Sequence, residues 1–189
     1  MILDGPPSHR PSSNMQIIPP DTVTMQDTTS EAPDPEKMNK RRKEVLQMTW
    51  GMIETGPGSD MVVSFYDRLL KLEPQTKSMF SEISLRQQAL KVFEVLQVAV
   101  RFLNDMEQIT PLLQDIGIRH HRDYGVENAH YSVMTMAFLQ AMDHCFSPAA
   151  SNPLTLPPGI SRNDVMDAWK WVLDLIGSVM SDAAAKAGV

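Results

Sequence analysis

The chain has 189 residues, of which 42% are hydrophobic and 21% are charged, and its formal net charge is −6. This composition indicates one globular domain and excludes collagen-like and disulfide-rich proteins. The acidic balance disfavours nucleic acid as a partner, and no apolar run approaches the ~20 residues that a membrane helix needs. Cys145 is the only cysteine. No internal disulfide can form, and we expect a cytoplasmic protein that has no membrane segment.

The N-terminal part differs in composition from the rest. Half of the 14 prolines lie within the first 35 residues, among Ser, Thr, Asp and Asn. Such a stretch cannot bury enough apolar surface to offset its chain entropy. We therefore predict a disordered tail over residues 1–36 and a folded domain over residues 37–189. The basic cluster at residues 40–43 is expected to be a solvated first helical turn rather than a localisation or phosphate-binding patch.

From Met38 onward, apolar residues recur at steps of three and four and strand signals are scarce, which predicts an all-α fold. A first helix carries Val45, Leu46, Trp50 and Ile53 and ends at the Gly-Pro-Gly of residues 56–58. Ser59 is predicted to cap a second helix, which Pro74 interrupts.

The clearest pattern in the chain is a third helix whose apolar face includes one polar residue, Gln88. The residues on that face are Leu85, Gln88, Val92, Val95, Leu96, Ala99 and Leu103. A fourth helix begins with Ile109, Leu112, Leu113 and Ile116, and His120 is the next residue on the same stripe. A further helix is predicted over residues 127–146, and a last one from Ser161, whose spacing to Asp164 indicates a capping box.

Nucleotide-binding, metalloprotease and serine-hydrolase motifs are absent from the sequence. The polar groups that stand out on otherwise apolar stripes are Tyr66, Gln88 and His120. A neutral imidazole in an apolar cleft is a good ligand for iron. One such ligand is enough if a porphyrin supplies four others.

Two stretches of sequence resemble the globin family. The first runs from Phe65-Tyr66 through Pro74 to Phe80, and the second runs from Ile116 through His120, Tyr124-Gly125-Val126 and His130-Tyr131. Single-domain bacterial globins, the globin part of flavohaemoglobins and neuroglobin-like globins are the most similar in pattern, over about residues 38–186. The resemblance implies the three-over-three helical sandwich of the globin fold.

The resemblance also implies roles for particular residues. His120 would be the axial ligand of haem b, Gln88 and Tyr66 would face the gas ligand, and Val92 and Phe80 would pack on the porphyrin. Lys91 and Arg119 lie where either could reach a propionate.

Two departures from the family pattern concern the side of the axial histidine. One extra residue before Tyr124 makes His121 an alternative ligand. Successive helical residues point about 100° apart, however, and only His120 continues the apolar stripe. Tyr131 corresponds to a tyrosine that a carboxylate supports in flavohaemoglobins, but Ala184 stands at the carboxylate's place.

The function expected from this resemblance is binding of oxygen, nitric oxide or carbon monoxide at haem iron. Nitric oxide dioxygenation with a separate reductase is one possible activity. A haem-based sensor that signals to a partner, and a haem-free interaction domain, are the alternatives. His130 and His144 are expected to be surface or structural residues, and Cys145 an inward apolar one.

Overall fold

The computed structural model describes residues 34–80, 84–150 and 153–188. The regular secondary structure in these ranges is entirely helical, which confirms the predicted all-α class. The six α-helices are α1 (Pro35–Thr55), α2 (Gly58–Leu72), α3 (Leu85–Arg101), α4 (Thr110–Tyr124), α5 (Asn128–Cys145) and α6 (Arg162–Ala187). Short 3₁₀ helices cover Pro74–Phe80 and Met106–Gln108. Among the described residues, no helix is long and apolar enough to cross a membrane.

The predicted tail lies outside the described residues, apart from its last three positions. Helix α1 already begins at Pro35, two residues before the predicted start of the domain. The Asp34 side chain caps it by accepting a hydrogen bond from the Glu36 N–H at 3.0 Å. Proline is favoured here because the first helical turn does not use its missing N–H.

The basic cluster is not the first turn of a helix, as the sequence suggested, but lies in the interior of α1. Arg41 donates to the Gly159 carbonyl at 2.6 Å. Arg42 forms a two-pronged ion pair with Asp167, at 2.8 Å from Nε and 3.2 Å from Nη2. These contacts join α1 to the beginning of α6, so two of the four basic side chains hold tertiary structure.

The junction of α1 and α2 corrects a second expectation. Helix α2 begins at Gly58 and its N-cap is Pro57, so Ser59 lies inside the helix and is not the cap. The Pro57 φ of −80° already suits entry into a helix. Gly58 also lies against α3, because a Cβ there would be 2.7 Å from Phe93 Cε2.

The core is organised around α6, against which α1, α4 and α5 pack, while α2 packs on α5 and α3. At its centre Trp169 is fully buried and donates its indole N–H to Thr49 Oγ1 at 3.0 Å. Thr49 is also fully buried, and its hydroxyl donates to the Val45 carbonyl at 2.7 Å. The polar atoms of this pair are therefore satisfied without water.

Helix α4 ends in a glycine turn that fixes the end of the helix. Gly125 adopts a left-handed φ of 66°, its N–H donates to the His121 carbonyl at 2.9 Å, and the Val126 N–H donates to the His120 carbonyl at 3.0 Å. The Gly125 bond is the single bond of the αL cap, and it satisfies a carbonyl that the helix leaves unpaired.

The next two helices begin with capping boxes. In α5 the Glu127 N–H donates to His130 Nδ1 at 2.8 Å. In α6 the predicted box is present, since the Ser161 N–H donates to Asp164 Oδ2 at 2.8 Å and the Asp164 N–H donates to Ser161 Oγ at 3.1 Å.

Candidate functional site

Two adjoining cavities lie among the helices. The larger has a volume of about 450 Å³ and the smaller about 90 Å³. The residues that line both are Gln88, Val92, His120, Tyr124 and Met134. The larger cavity falls within the usual size range of small-molecule sites.

All the residues that the sequence singled out for the site line these cavities, except the alternative ligand His121. Tyr66 and Phe80 border the smaller one, and Lys91 and Tyr131 border the larger one. Gln88, Val92 and His120 border both. The fold thus brings together side chains from α2 through α5 that are up to 65 positions apart in the sequence, from Tyr66 to Tyr131.

His120 is a half-buried imidazole, and one of its nitrogens is buried and unused. Its Nδ1 is buried and has no hydrogen-bond partner among the described residues. Burial lowers the pKa of His120, and the neighbouring Arg119 lowers it further. The ring is therefore neutral near pH 7, which is the form that binds metals.

His121 is placed differently. Its Nδ1 lies 2.9 Å from the Val126 carbonyl, within the turn that follows α4. It lines neither of the two cavities. An imidazole that a backbone carbonyl holds at the end of its own helix has a structural role, so the geometry favours His120 over His121 as a ligand.

Tyr66 and Gln88 interact at the wall of the smaller cavity. Burial raises the pKa of Tyr66 strongly, and a hydrogen bond from the Gln88 side chain offsets part of that rise. Tyr66 therefore remains a neutral phenol. Both side chains line the smaller cavity, where the phenol can donate its proton to a ligand and the Gln88 amide can donate as well.

Aromatic packing holds Tyr66 in place. The Phe80 ring meets Tyr66 edge-on, with centroids 5.4 Å apart and planes at 78°. Phe65 packs on the other side with its centroid 4.7 Å away. The phenol is therefore fixed in position before any ligand binds.

The rim of the larger cavity is charged. Lys91, Arg119 and Asp123 line it, and Arg119 also pairs with Asp115 at 2.9 Å. Two cations from α3 and α4 thus border one opening, where anionic groups of a ligand would meet them.

Sequence reasoning missed part of the wall. Helix α6 contributes Leu173, Ile176, Gly177 and Met180 to the larger cavity, and the sequence analysis named none of them as a site residue. Leu112, expected on the inward stripe of α4, is 42% exposed and lines the same cavity. Periodicity identifies a face but cannot separate a core from a cavity wall.

Tyr131 has no carboxylate to support it. Its hydroxyl is buried without a partner among the described residues, and burial raises the pKa of Tyr131. Ala184, at the place of the family's carboxylate, is itself buried.

The remaining expectations concern three other side chains. His130 is structural in that it completes the cap of α5, although it also borders the smaller cavity. His144 lies in the last turn of α5 and is exposed. Cys145 is buried, as expected, and burial raises the pKa of its thiol to about 11.

The Globin family profile matches residues 63–156, which include Tyr66, Phe80, Gln88 and His120. The chain belongs to the globin family. A bacterial globin from Campylobacter jejuni superposes with a TM-score of 0.63 at 18% identity, covering 79% of this chain and 98% of the other. Deoxy haemoglobin from Dasyatis akajei gives a TM-score of 0.59 at 17% identity, with 76% and 96% covered. No curated protein matches the sequence significantly.

These neighbours confirm the globin fold expected from the sequence. Family and fold together identify the chain as a haem-binding, gas-binding globin. The residues fit the cofactor, because a neutral imidazole with a buried, unpartnered nitrogen lines an apolar cavity that has cations at its rim.

Proposed function

We propose that this globin binds haem b with His120 as the axial iron ligand, and that Tyr66 and Gln88 hold an oxygen or nitric oxide molecule by hydrogen bonds. The observation that carries the proposal is that the half-buried, neutral His120 lines the same cavity as Tyr66 and Gln88. When bound, haem supplies an iron centre that binds diatomic gases.

Each side chain has a separate task in this proposal. His120 offers a neutral nitrogen to the iron, since burial disfavours its protonated form. Val92 and Phe80 pack against the cofactor. Lys91 and Arg119 pair with the propionates. Tyr66 donates its phenol proton to the diatomic ligand, because burial keeps the phenol neutral and the side chain lines the cavity.

The hydrogen-bond donors decide which gas chemistry the pocket favours. A donor to a partly charged acceptor contributes about 1–3 kcal/mol, and about 1.4 kcal/mol slows ligand release tenfold. A phenol with an amide behind it therefore favours slow release of oxygen over rapid exchange. Slow release suits nitric oxide dioxygenation, in which nitric oxide, oxygen and one electron give nitrate, and the electron would come from a separate reductase.

Absorption spectra of the purified protein test the proposal. The ferric, ferrous and carbon monoxide forms should each give a Soret band. His120→Ala should abolish stable haem incorporation, while the matched control His121→Ala should retain it. A normal Soret band in the His120 variant would overturn the ligand assignment, and its absence from the wild-type protein would favour a haem-free domain.

The dioxygenase activity has its own test. Nitric oxide added to aerobic protein with an external reductant should yield nitrate catalytically, and Tyr66→Phe should lower the yield. A single turnover that does not resume when reductant is supplied would instead favour the sensing role.

A further inference from the structure

Tyr124 is the last residue of α4, and it occupies a position that the function proposed above does not use. It follows His120 by four residues, so the two side chains lie on one face of the helix, one turn apart. The Cα–Cβ bonds of a helix tilt toward its N-terminus, so a residue in the last turn leans over the turn before it. The Tyr124 side chain is therefore directed back toward His120.

The contact is present in the structure. The Tyr124 ring meets the His120 imidazole edge-on, with centroids 6.2 Å apart and planes at 71°. Tyr124 is 46% exposed and borders both cavities. The ring is thus exposed to solvent in part and contacts the imidazole.

The extra residue between His120 and Tyr124 explains this contact. A spacing of three would place the tyrosine about 60° away from the His120 direction, whereas four residues bring it to within about 40°. Helix α4 accommodates the extra residue because it continues to Tyr124 and only then turns at Gly125. The insertion therefore lengthens the helix and brings the two rings into their edge-on contact.

We propose that Tyr124 is a positioning residue for the axial histidine. Its ring restricts rotation of the His120 imidazole and shields that side of the cavities from water. This rests on the proposed role of His120. The ring itself acts, not the hydroxyl, because an edge-on contact with a half-exposed ring needs only the aromatic surface. The consequence is slow loss of haem.

The test compares Tyr124→Phe, which keeps the ring, with Tyr124→Ala, which removes it. Leu90→Ala is the matched control, because Leu90 is a large side chain that is similarly exposed and borders neither cavity. The rate of haem transfer from each ferric protein to an excess of a haem-scavenging apoglobin is measured. We expect Tyr124→Ala to lose haem at least tenfold faster than the wild type, and Tyr124→Phe and Leu90→Ala to stay within about twofold.

A second measurement on the haem-free protein separates this proposal from the ligand assignment. In histidine-labelled protein, the ring current of Tyr124 should shift the NMR signals of the His120 ring. That shift should persist in Tyr124→Phe and disappear in Tyr124→Ala. A protein that binds no haem but keeps this shift would contradict the role of His120 and leave the ring contact established.

Two outcomes overturn the proposal. One is unchanged haem loss in Tyr124→Ala, and the other is equally fast loss in Tyr124→Phe, which would show that the hydroxyl matters and not the ring. Should Tyr124→Ala fail to fold, Tyr124→Leu replaces it, since leucine keeps an apolar side chain but has no ring current.

Discussion

Gly117 in α4 crosses Met180 in α6 so closely that a Cβ at Gly117 would lie 2.2 Å from the Met180 carbonyl oxygen and 2.6 Å from its Cα. These are backbone atoms, which cannot move aside as the end of a flexible side chain can. This close contact fixes the distance at which α4 packs against α6. It also fixes the position of His120, which lies three residues further along α4.

Gly117→Ala should therefore destabilise the protein by at least about 2 kcal/mol, in the upper part of the range for an overpacked core. It should also speed haem loss, because α4 must shift. Chemical denaturation and haem transfer measure the two effects. The matched control is Gly51→Ala, where a Cβ meets nothing within 4 Å inside α1. Alanine there should stabilise by about 0.5–1 kcal/mol. Equal effects at both glycines would contradict the close crossing.

Tyr66 and Gln88 give a prediction about ligand release. Tyr66→Phe removes the donated phenol proton and should speed oxygen dissociation about tenfold or more, while carbon monoxide, which accepts hydrogen bonds weakly, should respond much less. Gln88→Leu should change oxygen release in the same direction. Because Tyr66 and Gln88 line one cavity and would contact the same ligand, the two effects should be non-additive in the double variant. Stopped-flow measurement of oxygen dissociation from the two single variants and the double variant tests this prediction. Unchanged oxygen dissociation rates in all three variants would show that both residues only pack against the cavity.

Cys145 should be a poorly reactive thiol. Burial raises its pKa to about 11, so at pH 8 only about 0.1% is thiolate, against roughly a quarter of a free thiol. We expect alkylation by iodoacetamide at pH 8 to be at least a hundredfold slower in the native protein than in guanidinium. The chain has no other cysteine to complicate the measurement. Rates within tenfold of each other would show that the thiol is accessible.

Arg42 should contribute measurably to stability. Its ion pair with Asp167 is two-pronged, and its side chain is largely covered, so Arg42→Ala should cost about 1 kcal/mol. Lys37→Ala is the control, because its contact with Asp34 is long and exposed and should be worth almost nothing. Thermal unfolding compares the two variants. A loss at Lys37 as large as that at Arg42 would contradict this view.

Removing residues 1–33 tests the predicted tail. The cut leaves the Asp34 cap and both arginine contacts of α1 in place. We therefore expect haem binding and the melting temperature to stay nearly unchanged. A fall of ten degrees would show that the removed segment packs on the domain.

The sequence predicted the features that depend on neighbours within one helix. The apolar stripe of α3 and the capping box at Ser161 both follow from spacing of three or four residues. Contacts between distant segments had no such signal. The Gly117–Met180 crossing and the Arg42–Asp167 pair join residues far apart in the chain, and no periodicity indicates either of them. The Ser59 cap failed because a cap depends on the geometry of the preceding turn, which a single preferred residue type does not determine.

With His120 as the proposed ligand, the turn at the end of α4 means that the adjacent His121 does not provide a reserve ligand. For His121 to take the place of His120, α4 would have to rotate by about 100°. That rotation would break the hydrogen bond of His121 to Val126 and both backbone bonds that close the helix. It would also turn a residue that has a side chain toward Met180 in place of Gly117. A chain that loses the imidazole at position 120 cannot recover through the next one, so the duplication gives no tolerance to mutation at this site.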